Sequence, residues 1–578
     1  MTQTDNSALD SHPKSPVAHL AWIVLILATL YICYFHNLGA IGLVGPDEPR
    51  YAWIARDMAE SGDWVTPRLY GKPWFEKPVL YYWSAALSFK VFGVSEAAAR
   101  FPSALAALFA TLAMAWLARR TYGAETARWL LLLLPTTVGM IGFSHAAATD
   151  MPFAGMLSIA MVFAAIVLGL VSNQDSPILP RTRWLALFFF GFFLGLAVLA
   201  KGPAAIILSD GAILLWAVFT KRWRDAFRCL HPVAIASFCL TALPWYFLCA
   251  RRNPGFFRIF IIEHNFKRYL TPEFQHIQPF WFYVPMVLVS FVPWTLLLLW
   301  SLPYGLHSQW GRRTSSLAFF LLTYALFCLV FFSASKSKLP GYILPAIPPI
   351  GMLLARAYVV LSKRREKSLR WFLSGFAILA LPAGTLLLWI GRHFPTSPAS
   401  AKAMVVVGCV VLAFALANLL LTSKEHLKNI PVAPVCVLPV LLLLLLFHQI
   451  SLPWLHSDPS GRTLATELQV AKIPTDQIYV ASMKRGQQYS LSFYLHREIP
   501  TWDSDQSREG WLLVHSRSCS VFVKSPAACA KEPVELGQSG WFLYQVQQED
   551  LFGSLGGFSN LSGLSGSGNW NSANRQPR

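Results

Sequence analysis

A chain of 578 residues that is 55% hydrophobic, only 13% charged and rich in Phe (41) and Trp (22) is excluded from the soluble globular proteins of ordinary composition. Its formal charge of +19 does not make it a nucleic-acid binder, because the basic residues are dispersed through short loops and form no single basic face. Membrane topology accounts for them instead, and no nucleic-acid partner is expected.

The opening stretch, 1–17, is polar and carries Lys14, and no small-residue cleavage site follows the first apolar run. It reads as the lead into an uncleaved first helix. From Ala21 to Ile450 apolar runs recur near the roughly 20-residue length that crosses a bilayer. Helices are expected near 19–38, 99–118, 127–145, 150–171, 183–200, 203–220, 232–250, 280–300, 317–334, 342–361, 371–390, 402–422 and 432–450, about thirteen crossings of an all-α polytopic domain. Val79 to Gly93 is apolar but short and interrupted by Ser84, Ser88 and Lys90, which suits an interfacial helix.

Counted this way, Lys and Arg gather in alternate loops: Arg119, Arg120 and Arg128; Arg181 and Arg183; Lys221, Arg222, Arg224 and Arg228; Arg312 and Arg313; Lys363 to Arg370; Lys424 and Lys428. The positive-inside rule then places the N-terminus in the cytoplasm and the polar C-terminal part outside. Three outer segments break the rule. They are the first loop, with Arg50, Arg56, Arg68, Lys72 and Lys77, then Arg251 to Leu270, and Ser335 to Pro345. Cations concentrated there call for an anionic partner, and phosphate on a lipid carrier or head group is the natural one at a membrane face.

The first loop holds the densest chemistry. Asp47, Glu48, Arg50, Glu76 and Lys77 lie beside lipid, where charge is usually kept for function. Asp47 and Asp150 each suit a helix N-cap as well as a working carboxylate. Glu76 and Lys77 precede Pro78, which keeps them in extended backbone, free to enter a cavity or to pair at the surface. Lys201 in LAKGP, and Lys336, Lys338 and Tyr342 in SKSKLPGY, leave the membrane at outer turns, as phosphate contacts or as an interfacial belt.

The membrane domain is expected to end at 450. Residues 451–552 read as a small α/β domain, with strands at QIYVAS, EIPTW and CSVFVK and a helix at GQQYSLSFYLH. Residues 553–578, rich in Gly, Ser and Asn, read as a disordered tail. Cys519 and Cys529 could be bridged or free. The other cysteines show no metal-ligand spacing.

GPDEPRYA, SGDWVTPRL, FEKPVLYYW, TDMP at Thr149, LAKGP, IEHNFKRYLTPEFQH and SKSKLPGYILPAIPP together resemble the bacterial aminoarabinose transferase group of the protein-mannosyltransferase-like glycosyltransferases. The resemblance covers roughly the first 450 residues in order. It implies a GT-C fold, about thirteen transmembrane helices with interfacial helices roofing a periplasmic cavity. It also implies transfer of a sugar, with 4-amino-4-deoxy-L-arabinose expected, from undecaprenyl phosphate to lipid A or another envelope acceptor among membrane lipids, with no nucleotide cofactor. By the same resemblance Asp47, Asp150 and Glu48 are catalytic, and Arg50, Lys77, Arg268 and Tyr342, backed by Lys201, Lys336 and Lys338, bind the carrier phosphate. Glu76 and His264 are implied ligands of a divalent metal, Zn²⁺ or Mg²⁺, although two ligands alone do not make a site. Transfer to protein Ser/Thr remains open. A polyprenyl-lipid flippase is disfavoured, because the charged motifs keep to one face and do not line a path through the midplane.

Overall fold

The computed structural model describes residues 16–171, 180–267, 270, 277–310, 316–364, 366–393, 398–423, 437–446, 459–502, 510–515, 533–536 and 539–546. They form two compact units: residues up to Arg462 together with Arg485–His496, and Thr463–Lys484 with the chain from Arg497 onward.

Helix occupies most of the described part of each of the thirteen expected segments. Among the described residues six helices are long and apolar enough to cross a membrane, or eight if each of two bent pairs counts as one span. Shorter apolar helices occupy His19–Tyr34, Ala204–Thr220, Met404–Ala417 and Val437–Leu446. The first part of the chain runs α1 (Pro16–Tyr34), α2 (Glu48–Ser61), β1 (Arg68–Leu69), β2 (Lys72–Pro73), α3 (Leu80–Phe92) and α4 (Glu96–Tyr122). The bend follows as α5 (Ala124–Leu133) and α6 (Val138–Ser144), then α7 (Asp150–Val167), α8 (Pro180–Lys201), α9 (Ala204–Thr220), α10 (Trp223–Phe227) and α11 (Pro232–Arg252).

Two expected spans, 127–145 and 280–300, are broken. The helices bend by 62° between α5 and α6 and by 114° between Phe280–Ser290 and Thr295–Leu302. Pro135 and Pro293 sit at the breaks and withhold the amide that a continuous helix needs. The freed backbone is satisfied from within the fold. Thr136 Oγ donates to the Leu132 carbonyl, Val138 N donates to Val292 O at 2.9 Å, and Trp294 Nε1 donates to Thr136 Oγ at 2.8 Å. Each break therefore supplies what the other lacks, as irregular backbone at membrane depth requires.

Small residues set the helix spacing. A Cβ on Gly191 of α8 would stand 2.0 Å from the Ala234 carbonyl of α11, and one on Gly155 of α7 would stand 2.9 Å from the Ala106 carbonyl of α4. Close approach of this kind is how helices associate where burial of apolar surface cannot drive them.

The segment Val79–Gly93 is helical as expected, in α3. Between α2 and α3, β1 and β2 pair antiparallel around Tyr70 and Gly71, both at positive φ (52° and 76°), as a two-residue hairpin turn demands.

The second unit is built on a four-stranded sheet in the order β3-β4-β6-β5: β3 (Ile478–Val480), β4 (Gly510–Val514), β5 (Val534–Leu536) and β6 (Trp541–Val546). β3 runs parallel to β4, and the other pairs are antiparallel. Ala481, Leu512, Val514, Tyr544 and Val546 form its core. The EIPTW strand is reduced to a bridge, Val480 to Thr501, because Pro500 inside this short run has no amide to donate to a ladder. The expected helix appears as Arg485–Leu495 but packs within the membrane unit. CSVFVK, Cys519, Cys529 and the 553–578 tail lie outside the described residues.

Candidate active site

The turn Gly45-Pro46-Asp47 leads into α2, with Pro in its first turn where no helical N–H is lost. Asp47 occupies the cap position yet makes no capping hydrogen bond. Its carboxylate instead accepts from Arg50 Nη2 at 2.5 Å and is 48% exposed. The neighbouring Glu48 is turned the other way. Buried, it takes Arg100 Nε and Nη2 at 3.0 and 2.8 Å, Val44 N at 2.9 Å and Ala147 N at 2.7 Å. Four protein donors occupy its oxygens, so Glu48 is engaged as a brace and does not join the cluster around Asp47.

Arg100 was not singled out from sequence. Besides Glu48 it donates to the carbonyls of Leu38, Ile41 and Gly42 at 2.7–2.9 Å. A guanidinium with fixed fork geometry can hold that many acceptors at once. The available signal was an Arg at the outer end of an apolar run, breaking the same charge rule as the first loop.

Arg50 is the centre of the site. Its side chain is 6% exposed and bridges Asp47 and Glu76, the latter at 3.1 Å from Nη1, while Lys77 Nζ lies 3.7 Å from the other Glu76 oxygen. Trp74, Tyr51 and Tyr489 surround the guanidinium at 5.1, 5.3 and 5.9 Å. Burial works against its charge, but Glu76 foremost, then Tyr51 and Asp47, outweigh it and hold its pKa above the ordinary value. Arg50 thus stays cationic when dry. Tyr51 and Tyr82 are pushed up by burial and then by Glu76, and remain phenols.

A second cluster forms at the head of α7. Asp150 accepts from Lys201 Nζ at 2.5 Å, while Thr149 makes no side-chain cap. Lys201 stands 4.5 Å over the Tyr342 ring, and Gly341 passes so near that a Cβ would meet Asp150 Oδ1 at 2.7 Å. The two clusters are linked through one buried hydrogen bond. The Glu48–Ala147 hydrogen bond joins the residue after Asp47 to a residue three before Asp150. Lys336 is exposed nearby, whereas Lys338 is buried and donates to the Ser335 and Gln278 carbonyls at 2.5 and 3.1 Å. Burial, then Lys336, lowers its pKa. Lys338 braces the turn that carries Tyr342.

His264 lies in a π-helical stretch, Arg258–Lys267, rooted beside the site by Phe256, which packs on Phe75 at 5.2 Å. Glu76 already faces two cations, and no group of three His, Cys, Asp or Glu that could hold a metal occurs among the described residues. Arg268 lies outside the described residues.

Residues that sequence reasoning missed come from the far end of the chain. Ser490 Oγ donates to Leu43 O at 2.8 Å, Tyr494 Oη donates to Glu96 at 2.8 Å and accepts from Leu43 N at 3.0 Å, and Gly486 packs directly on Gly45. The Arg485–Leu495 helix is thereby fixed against the turn that carries Asp47, and it brings Tyr489 to Arg50.

Residues 20–260 match a family model described as dolichyl-phosphate-mannose-protein mannosyltransferase. The chain is 30% identical over 427 residues to the undecaprenyl phosphate-α-4-amino-4-deoxy-L-arabinose arabinosyl transferase of Enterobacter sp. (strain 638), covering 73% of this chain and 75% of that protein. It is 34% identical over 347 residues to the Edwardsiella ictaluri protein of the same name, of which it spans 61%. The crystal structure of ArnT from Cupriavidus metallidurans bound to undecaprenyl phosphate superimposes with a TM-score of 0.73 at 25% identity, covering 91% of this chain and 98% of that one.

Proposed function

Because the chain belongs to the undecaprenyl phosphate-α-4-amino-4-deoxy-L-arabinose arabinosyl transferase family, a membrane-bound glycosyltransferase group of GT-C fold, we propose that it moves this aminopentose from undecaprenyl phosphate to a phosphate-bearing lipid such as lipid A. One observation supports the reading most: the cluster of Asp47, Arg50, Glu76 and Lys77 and the cluster of Asp150, Lys201 and Tyr342 are linked through the Glu48–Ala147 hydrogen bond. An acceptor oxygen attacks the anomeric carbon, the bond from that carbon to the carrier phosphate breaks, and undecaprenyl phosphate leaves with the electron pair. Lys77, Arg50 and the Tyr342 phenol are the groups to stabilise charge growing on that phosphate. Asp47 and Asp150 orient the acceptor and take a proton if it carries one. A phosphate acceptor is already anionic near neutral pH, so orientation is the larger demand on them.

The test is mass spectrometry of lipid A from cells with and without the chain. Loss of a pentosamine-sized addition in its absence, and in an Asp47→Asn variant, is expected; an unchanged lipid A with labelled sugar on protein would turn the reading to Ser/Thr transfer. We place the site on the periplasmic side of the inner membrane, with the N-terminus in the cytoplasm, on the distribution of Lys and Arg. An impermeant thiol reagent should label Lys72→Cys and spare Arg224→Cys in intact spheroplasts; the opposite pattern reverses the orientation.

A further inference from the structure

Most cations at the site are already matched. Arg50 faces Asp47 and Glu76, Lys77 faces Glu76, and Lys201 faces Asp150. Arg485 is different. It is exposed, its Nε donates to Tyr489 Oη at 3.0 Å, its guanidinium lies 5.3 Å over the Tyr489 ring, and it has no carboxylate partner among the described residues. It also opens a helix, the end where a positive charge opposes the dipole, so its charge does not serve that helix.

The position of Arg485 is built. Gly486 beside it packs on Gly45, where a Cβ would come within 2.7 Å of the Gly45 carbonyl carbon. Gly45 is two residues from Asp47, the most exposed carboxylate of the Arg50 cluster at 48%. The Tyr489 ring is then in reach of two guanidinium groups, Arg485 at 5.3 Å and Arg50 at 5.9 Å. Arg50 Nε is buried with no hydrogen-bond partner among the described residues. A line from solvent to the buried centre runs Arg485, Tyr489, Arg50.

We propose that Arg485 and Tyr489 form the acceptor contact of this site, Arg485 binding the phosphomonoester of an anionic lipid and Tyr489 positioning both guanidinium groups. This deepens the transfer reading above and rests on it. An unmatched guanidinium can grip a phosphomonoester by two parallel hydrogen bonds, and its place beside the Asp47 turn sets the incoming oxygen next to the acceptor-orienting carboxylate. A segment more than 400 residues distant in sequence thereby becomes part of the acceptor side.

The experiment uses the full chain in nanodiscs with undecaprenyl-phosphate-linked aminoarabinose as donor and lipid A as acceptor. Arg485→Ala should raise the acceptor KM about tenfold or more, the scale of one charged hydrogen bond, with the donor KM unchanged; Arg485→Lys should recover part of the loss, and Tyr489→Phe should fall between. An unchanged acceptor KM in Arg485→Ala, or an equal rise in donor KM, overturns the proposal. Retention of phosphatidic acid over phosphatidylcholine, read by native mass spectrometry, decides independently of turnover. Weaker retention by Arg485→Ala supports the proposal, and equal retention by both proteins overturns it. A wild-type chain that transfers no sugar to lipid A removes the functional reading itself, while the retention comparison still tests Arg485.

Discussion

Exchanging Glu48 for Gln removes one partner of a buried ion pair and leaves Arg100 without its counter-charge. A loss of about 3–5 kcal/mol of stability is expected, read as a lower unfolding temperature in detergent and less folded protein. Asp47→Asn should leave that temperature near wild type, because Asp47 is half exposed and not part of the brace. Adjacent carboxylates in one motif thus separate, by their hydrogen-bond partners, into a buried brace and a half-exposed group paired with Arg50. Asp63 supplies a residue-scale prediction in pH. Burial opposes its charge, but the Val65 and Thr66 amides, with Arg252 and Arg68, hold its pKa below the usual carboxylate value. A depressed pKa gives stability that is complete above the unfolded value of about 3.9 and is lost as pH falls through the lower folded value. Asp63→Asn should therefore flatten the acid limb of the stability profile; an unaltered limb would assign acid sensitivity elsewhere.

At the scale of elements, the contact between α8 and α11 depends on a glycine. Gly191→Val would drive a side chain into the Ala234 carbonyl, and overpacking of this kind costs about 1–3 kcal/mol. The check is a lower unfolding temperature than in Gly142→Val, where a Cβ meets nothing within 4 Å. Elements were legible in the sequence where a single property defines them. Apolar length marked the spans, and Ser84, Ser88 and Lys90 marked α3 as a separate, short helix. The breaks at Pro135 and Pro293 were not legible, because a proline in a span announces a kink but not the partner that satisfies it. The short strands β4, β5 and β6 were also missed, since GWLLV and WFLYQV lack clean alternation.

For the molecule as a whole, the charged motifs of the first 345 residues were visible because charge beside lipid is conspicuous. Their division of labour was not. Glu48, Asp47 and Lys338 differ only in which donors and acceptors long-range packing supplies. Arg485, Tyr489 and Tyr494 escaped notice because they sit in a polar segment of ordinary composition, and only the fold brings them to Gly45, Arg50 and Glu96. Arg100 has a further consequence at this scale. It ties the carbonyls of Leu38, Ile41 and Gly42, and through Glu48 the start of α2, to one membrane-spanning helix. The height of Asp47 above the lipid then follows the tilt of α4, and tilt follows hydrocarbon thickness. Turnover in vesicles of graded acyl-chain length should peak at one thickness and fall on both sides, making the surrounding lipid a tuning element of the enzyme.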